Sequence, residues 1–179
     1  MGIQPLDFFR FVEMRRKGIP TVQLLQGVEE KEKSFFTQQW DSLIESKEYL
    51  VMDRPFTGSI DALSYLKARS NLVLVTLRKN RANLLDQIRA LSLDEYFETI
   101  LSQSPHVSPQ KAPLIRRSCD TLPEFGYIIG DSEADVLAGK ELNLPTISVT
   151  SGIRSRDFLS GFFPDYIIEG IWEIGKVVG

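Results

Sequence analysis

An α/β fold with a parallel sheet is predicted by three features of this 179-residue chain. Short apolar runs (LVLVT, GYIIG, PTISVT) recur between stretches of helical apolar spacing. Short strands alternating with helices are the grammar of βαβ units with right-handed crossovers. Residues 5–50 lack that alternation and stand apart as a helical region.

In chain order, LDFFRFVEMRRKG puts Leu6, Phe9 and Val12 at helical spacing, and Phe8 and Phe11 widen the stripe. Gly18 and Pro20 stop this helix. VEEKEKSFFTQQWDSLIESKEYL places Phe36, Trp40, Leu43 and Ile44 on one face and charges on the other, the signature of a second helix. The pattern changes near Pro55. DRPFTG, residues 53–58, reads as the hinge between a helical region, residues 1–52, and an α/β domain, residues 53–179. There SIDALSYLKARS is an amphipathic helix, NLVLVT a buried strand, NRANLLDQIRALSLDEYF a helix and ETILS a weak strand. A loop with Pro105 and Pro109 leads to a helix over Ala112–Cys119. Strand GYIIG, helix SEADVLAGKELN, strand PTISVT and a last strand DYIIE complete the series.

Composition excludes several functions. A net charge of -3 and a pI near 5.3 give no basic footprint for nucleic acid or an anionic membrane. Cys119 is the single cysteine and His106, in the loop SQSPHVSPQK, the single histidine. Together they argue against a disulfide, zinc, and Ser–His or Cys–His catalysis. No apolar run approaches the ~20 residues of a membrane span. MGIQPLDFFRF lacks the basic start and apolar stretch of a signal peptide, and Gln4-Pro5-Leu6 lacks the Ser or Thr of a myristoylation signal. The expectation is a soluble, cytoplasmic protein.

Ligand chemistry in open parallel sheets gathers at the carboxyl ends of strands. In YIIGDSEADVLAGK, Asp131 follows a strand directly, Ser132 can cap the next helix, and Asp135 lies one turn on. Side chains in a first turn lean toward the helix N-terminus, so Asp131 and Asp135 are expected to face one point above the sheet. Paired hard oxygens without His or Cys suit Mg2+, which also takes waters and phosphate oxygens. The same pair could merely cap the helix and favour its dipole. Thr76 ends the strand LVLVT, and its hydroxyl, with backbone N–H groups from Leu77 onward in TLRKN, can hold phosphate oxygens or simply make a turn. Lys111 opens KAPLIRRS and could neutralise a phosphate, keep a carboxylate ionised, or lie on the surface. Arg154, in TSGIRSRD, ranks below Lys111 for reaching the same mouth, and His106 reads as a loop residue.

The ordered set (Thr76 at a strand end, Lys111 after a loop, then strand-GDxxxD) resembles the second, third and fourth motifs of the haloacid dehalogenase superfamily, in particular its phosphoglycolate-phosphatase-like subgroup with a helical cap. The resemblance covers residues 50–160 and is most specific in GDSEADVLAGKELNLPTISVTSG. It implies a Rossmann-like sheet and Mg2+-dependent hydrolysis of a small phosphate monoester. Thr76 and Leu77 would then bind the transferring phosphoryl group, Lys111 would steady it and the nucleophile, and Asp131 would hold Mg2+ with Asp135 assisting directly or through water. Residues 5–50 resemble the family's cap.

That family's nucleophile is the first Asp of an Asp-x-Asp signature ending an apolar strand, and this chain contains no Asp-x-Asp. Asp53 in YLVMDRPFTG is the nearest candidate, but Pro55 stands where the second acid belongs and cannot exchange protons. By this comparison the sequence begins inside the cap, and the central nucleophile strand is absent. A slot is therefore expected between the LVLVT and YIIG strands, with unpaired backbone groups on both sides. A start assigned too far downstream is the favoured explanation. A non-catalytic member whose sheet has closed, or a strand supplied by another segment or chain, are the others. A non-enzymatic phosphate- and Mg2+-binding module is the rival reading. A receiver domain fits less well, because Thr76 and Lys111 precede Asp131.

Overall fold

The computed structural model describes residues 7–103, 110–118 and 124–179. His106 and Cys119 lie outside them. Helix α1 (Phe8–Arg16) starts at Asp7, whose carboxylate accepts the N–H groups of Phe9 and Arg10 at 3.0 and 3.2 Å. It stops ahead of Gly18, which turns the chain at a φ of 82°. A 3-10 turn, Thr21–Leu24, follows Pro20. Helix α2 (Glu30–Ile44) begins with a reciprocal capping box between Glu29 and Glu32. The single helix predicted over residues 28–50 is broken at Glu45-Ser46, and α3 (Lys47–Leu50) follows. Trp40 stacks on Phe36 at 5.9 Å and meets Phe11 at 6.1 Å. These rings are the nucleus of the helical region, which has helices and turns but no strand among its described residues.

After residue 58 come α4 (Ser59–Lys67), β1 (Val73–Thr76), α5 (Arg81–Ala90), β2 (Thr99–Ser102), α6 (Lys111–Ser118), β3 (Ile128–Gly130), α7 (Glu133–Leu142), β4 (Thr146–Val149), α8 (Arg156–Ser160) and β5 (Tyr166–Ile168). Several elements differ from the sequence expectation, among them a 3-10 helix at Ile171–Lys176 after β5. The helix predicted to run through Phe97 stops at Ala90 and leaves a 3-10 turn, Asp94–Tyr96. Helix α8 was not anticipated, being too short for periodicity to reveal; Ser155 caps it, its hydroxyl accepting the N–H of Phe158 at 3.3 Å.

All strand pairs are parallel. β1 pairs with β2 from Val73↔Thr99 to Thr76↔Ser102, and β3–β4–β5 form a second sheet with Gly130 opposite Ser148. Both sheets lie between the same two apolar layers. On one face Leu72, just before β1, and Ile129 of β3 pack with Ala62, Leu66, Ile147 and Ile168. On the other, Val75 and Ile128 pack with Ala112, Ile115, Ala138 and Leu142 of α6 and α7. The alternation of side chains along each strand sets this division. Among the described residues no strand pairs with the free edges of β1 and β3. The layer is therefore split into two parts, and the sheet has not closed over the split.

Candidate functional site

The carboxyl ends of the strands collect the charged groups. Asp131 leaves β3, and its Oδ2 accepts the N–H of Ile153 at 2.7 Å. A Cβ on Gly152 would come within 2.1 Å of that oxygen, so glycine is what lets the two loops approach. Oδ1 of Asp131 makes no hydrogen bond among the described residues. Asp135 is 5% exposed, and its environment is different. Its Oδ2 accepts the backbone N–H of Ser132 at 3.1 Å and the Ser132 hydroxyl at 2.6 Å. Its Oδ1 accepts Nζ of Lys111 at 2.5 Å. The sequence pointed both acids at one spot; here they are anchored on different partners. Asp135 is the third helical residue of a capping box, and the spacing Ser132-x-x-Asp135 is a sequence signal for that role.

Lys111 is the first residue of α6, with 16% of its side chain exposed. α6 packs on β1, β2 and α7, and this bridging position delivers its amine to Asp135. Thr76 ends β1, where its Oγ1 accepts the N–H of Arg78 at 3.3 Å, a turn contact. Leu77 lies half-buried between them. Asp53 is engaged by other partners: its Oδ2 accepts Nε2 of Gln87 at 2.5 Å and faces Nη2 of Arg78 at 3.5 Å. The structure thus joins Lys111 to Asp135 and ties Asp53 to α5.

Arg154 is 7% exposed and fully engaged. Its Nε and Nη2 donate to Glu133 at 2.7 and 2.8 Å, and Nη1 donates to the carbonyl of Arg15 at 2.8 Å. The Arg154 hydrogen bonds outweigh burial and hold the Glu133 carboxyl below its ordinary range, while Glu133 raises the guanidinium. Beside this pair, Arg16 donates to the carbonyls of Gly152 and Thr150 at 2.9 and 3.0 Å. The N–H of Ser155 returns to the carbonyl of Arg16 at 2.9 Å. Arg154 therefore fastens α1 to the first residue of α7, two positions after Asp131. Sequence reasoning missed Arg15 and Arg16, because their partners lie more than a hundred residues away and leave no local pattern.

A second set of contacts ties the end of α2 to the residues ahead of α5. The Glu45 carboxylate accepts the N–H groups of Lys79 and Asn80 ahead of α5, at 3.0 and 2.6 Å. The Glu45 carbonyl accepts Nδ2 of Asn83 at 2.8 Å, and Nζ of Lys79 reaches Asp41 at 3.1 Å. Asp41, Ser42, Glu45, Lys79, Asn80 and Arg81 line a shallow cleft there. Among the described residues no group of three or more His, Cys, Asp and Glu gathers as a metal cage. Asp131, with one carboxylate oxygen available, fits the way Mg2+ is held by one or two carboxylates plus waters and phosphate oxygens. Asp135, with both oxygens occupied, fits an indirect contact.

Residues 14–149 match the model of the haloacid dehalogenase-like hydrolase family. The chain is 27% identical over 128 residues to pyrophosphatase PpaX of Oceanobacillus iheyensis, covering 69% of this chain and 60% of that protein. It is 26% identical over 129 residues to pyrophosphatase PpaX of Halalkalibacterium halodurans, covering 70% and 60%. The chain thus matches 60% of the length of these two curated relatives. A solved haloacid dehalogenase-like hydrolase from Streptococcus pneumoniae superposes with a TM-score of 0.81 at 22% identity, over 99% of this chain and 84% of that one. The likeness extends through the helical region as well as the split sheet.

Proposed function

Because the chain belongs to the haloacid dehalogenase-like hydrolase family, we propose that it carries the phosphoryl-binding side of a Mg2+-dependent phosphohydrolase acting on a small phosphorylated compound. The observation that carries this reading is the Lys111–Asp135 pair at 2.5 Å, largely withdrawn from water at the mouth of the sheet. A lysine held by a buried carboxylate is a positioned cation, and positioned charge is most of what phosphoryl transfer asks of a protein. Thr76 and the N–H of Leu77 hold phosphoryl oxygens, and Lys111 neutralises the transferring group. Asp131 would hold Mg2+ with its available carboxylate oxygen, and Asp135 orients Lys111. The ion, when bound, shields the repulsion between the phosphate and an attacking carboxylate.

That carboxylate enters on a strand between β1 and β3, from a segment outside residues 1–179 or from another chain. The free edges of β1 and β3 support this, since a parallel strand between them would pair on both sides. Residues 1–179 alone are then catalytically impaired, the helical region acts as a cap, and the named relatives make inorganic pyrophosphate the first substrate to assay.

The test measures phosphate release from pyrophosphate and p-nitrophenyl phosphate in Mg2+, for the chain alone and for the chain extended by an apolar strand ending in Asp-x-Asp. The extended form should gain orders of magnitude, and Asp131→Asn should abolish the gain. Equal turnover by both forms, abolished by Asp53→Asn, would make Asp53 the nucleophile. Phosphate binding without turnover in either form would mark a binding module.

A further inference from the structure

Arg78 lies two residues beyond Thr76, on the loop leaving the carboxyl end of β1. Its Nη1 is buried and has no hydrogen-bond partner among the described residues. Its Nη2 reaches Oδ2 of Asp53 only at 3.5 Å, at the limit of a hydrogen bond, and Gln87 already donates to that oxygen at 2.5 Å. A guanidinium offers five N–H donors in a planar fork. Buried donors are nearly always matched, so an unmatched one on a cation invites an acceptor. The acceptor that fits the fork is a phosphate or carboxylate.

We infer that Arg78 is a specificity-determining residue: it receives the second, non-reacting phosphate of a diphosphate while Thr76 and Lys111 take the first. This rests on the phosphohydrolase reading and deepens it. Arg78 follows Thr76 by two residues on one loop, and its backbone N–H donates to Oγ1 of Thr76 at 3.3 Å, so an anion on its guanidinium would be carried by the loop that binds the first. Lys79, the next cation along, is committed to Asp41 at 3.1 Å and cannot substitute without breaking that contact.

The test is calorimetric titration of the chain with inorganic phosphate, inorganic pyrophosphate and 2-phosphoglycolate at fixed Mg2+. Wild type should bind pyrophosphate about tenfold or more tightly than phosphate, the margin one charged contact supplies. Arg78→Met should erase that ratio and leave phosphate affinity within about twofold. Lys79→Met, which removes the same charge one residue away, should leave the ratio intact, which separates a specific contact from a general loss of positive field. Asp53→Asn should also preserve it; a loss equal to that of Arg78→Met would show that Arg78 acts only through Asp53. An unchanged ratio in Arg78→Met, or a preference that falls for 2-phosphoglycolate and not for pyrophosphate, overturns the assignment. If wild type binds phosphate with no preference for pyrophosphate, this inference alone fails. If it binds neither, the phosphate site itself is wrong.

Discussion

Replacing Arg154 by Met tests the fastening between α1 and the acidic loop. The substitution keeps the aliphatic stem and removes two charge-assisted bonds to Glu133, at 2.7 and 2.8 Å, and one to the carbonyl of Arg15 at 2.8 Å. Removing one partner of a fully buried pair costs about 3–5 kcal/mol. Glu133 keeps 30% of its side chain in water, so part of its charge would be re-solvated. About 2 kcal/mol for the pair is the consistent figure after that discount. The lost bond to Arg15 adds about 1 kcal/mol. A total of about 3 kcal/mol lowers Tm by about 6–12 °C in a domain of this size.

The pH dependence separates the ion pair from packing. The Glu133 carboxyl is held below its ordinary 4.5, first by the Arg154 hydrogen bonds. A depressed carboxyl stabilises the fold above its unfolded value, and the contribution fades as pH falls through the folded value. Urea unfolding of wild type and Arg154→Met should therefore give curves far apart at pH 7 and drawing together below 4.5. A difference under about 0.5 kcal/mol at pH 7, in the range of a neutral surface change, would refute the reasoning. So would a difference that stays constant down the pH series. Glu133→Gln, which retains the geometry and loses the charge, should fall between the two.

Lys111→Met leaves the buried Asp135 carboxylate without its cation and should cost about 3 kcal/mol in chemical denaturation. The double variant with Asp135→Asn should recover part of that loss. Gly152→Ala drives a Cβ to 2.1 Å from Oδ2 of Asp131, and should cost about 1–3 kcal/mol by overpacking while weakening Mg2+ binding measured by calorimetry. The Asp165 carboxylate accepts the N–H and hydroxyl of Thr146 at 2.7 and 3.0 Å, and these bonds hold its carboxyl below 3.8. Asp165→Asn should therefore cost about 1 kcal/mol at pH 7, with the difference from wild type shrinking in acid.

What was legible in the sequence was whatever a local pattern encodes. Apolar runs bounded by turn residues marked each strand. Ile128–Gly130 followed by Asp131 and Ser132 marked the junction where the candidate site lies. The break of the long helix at Glu45 was not legible, because its cause is remote: the carboxylate is engaged by backbone N–H groups at Lys79 and Asn80. The orientation of Asp135 was half legible. Spacing placed it near Asp131 but did not announce that its two oxygens are taken up by Ser132 and by the amine of Lys111. Arg154 was noticed for the right neighbourhood, but its bond to Glu133 is a tertiary fact that no spacing announces.

The split between β1 and β3 should also reverse the usual hierarchy of local opening. In a continuous parallel sheet the middle strands are flanked on both sides, and their amides are the last to exchange with solvent deuterium. Here β1 and β3 each keep one ladder, to β2 and β4, while the amides on their other sides have no strand partner among the described residues. β4, with neighbours on both sides and every residue buried, becomes the slowest-exchanging segment. Deuterium should enter at β1 and β3 before it enters at β4, and a strand added to the slot should restore protection to both together.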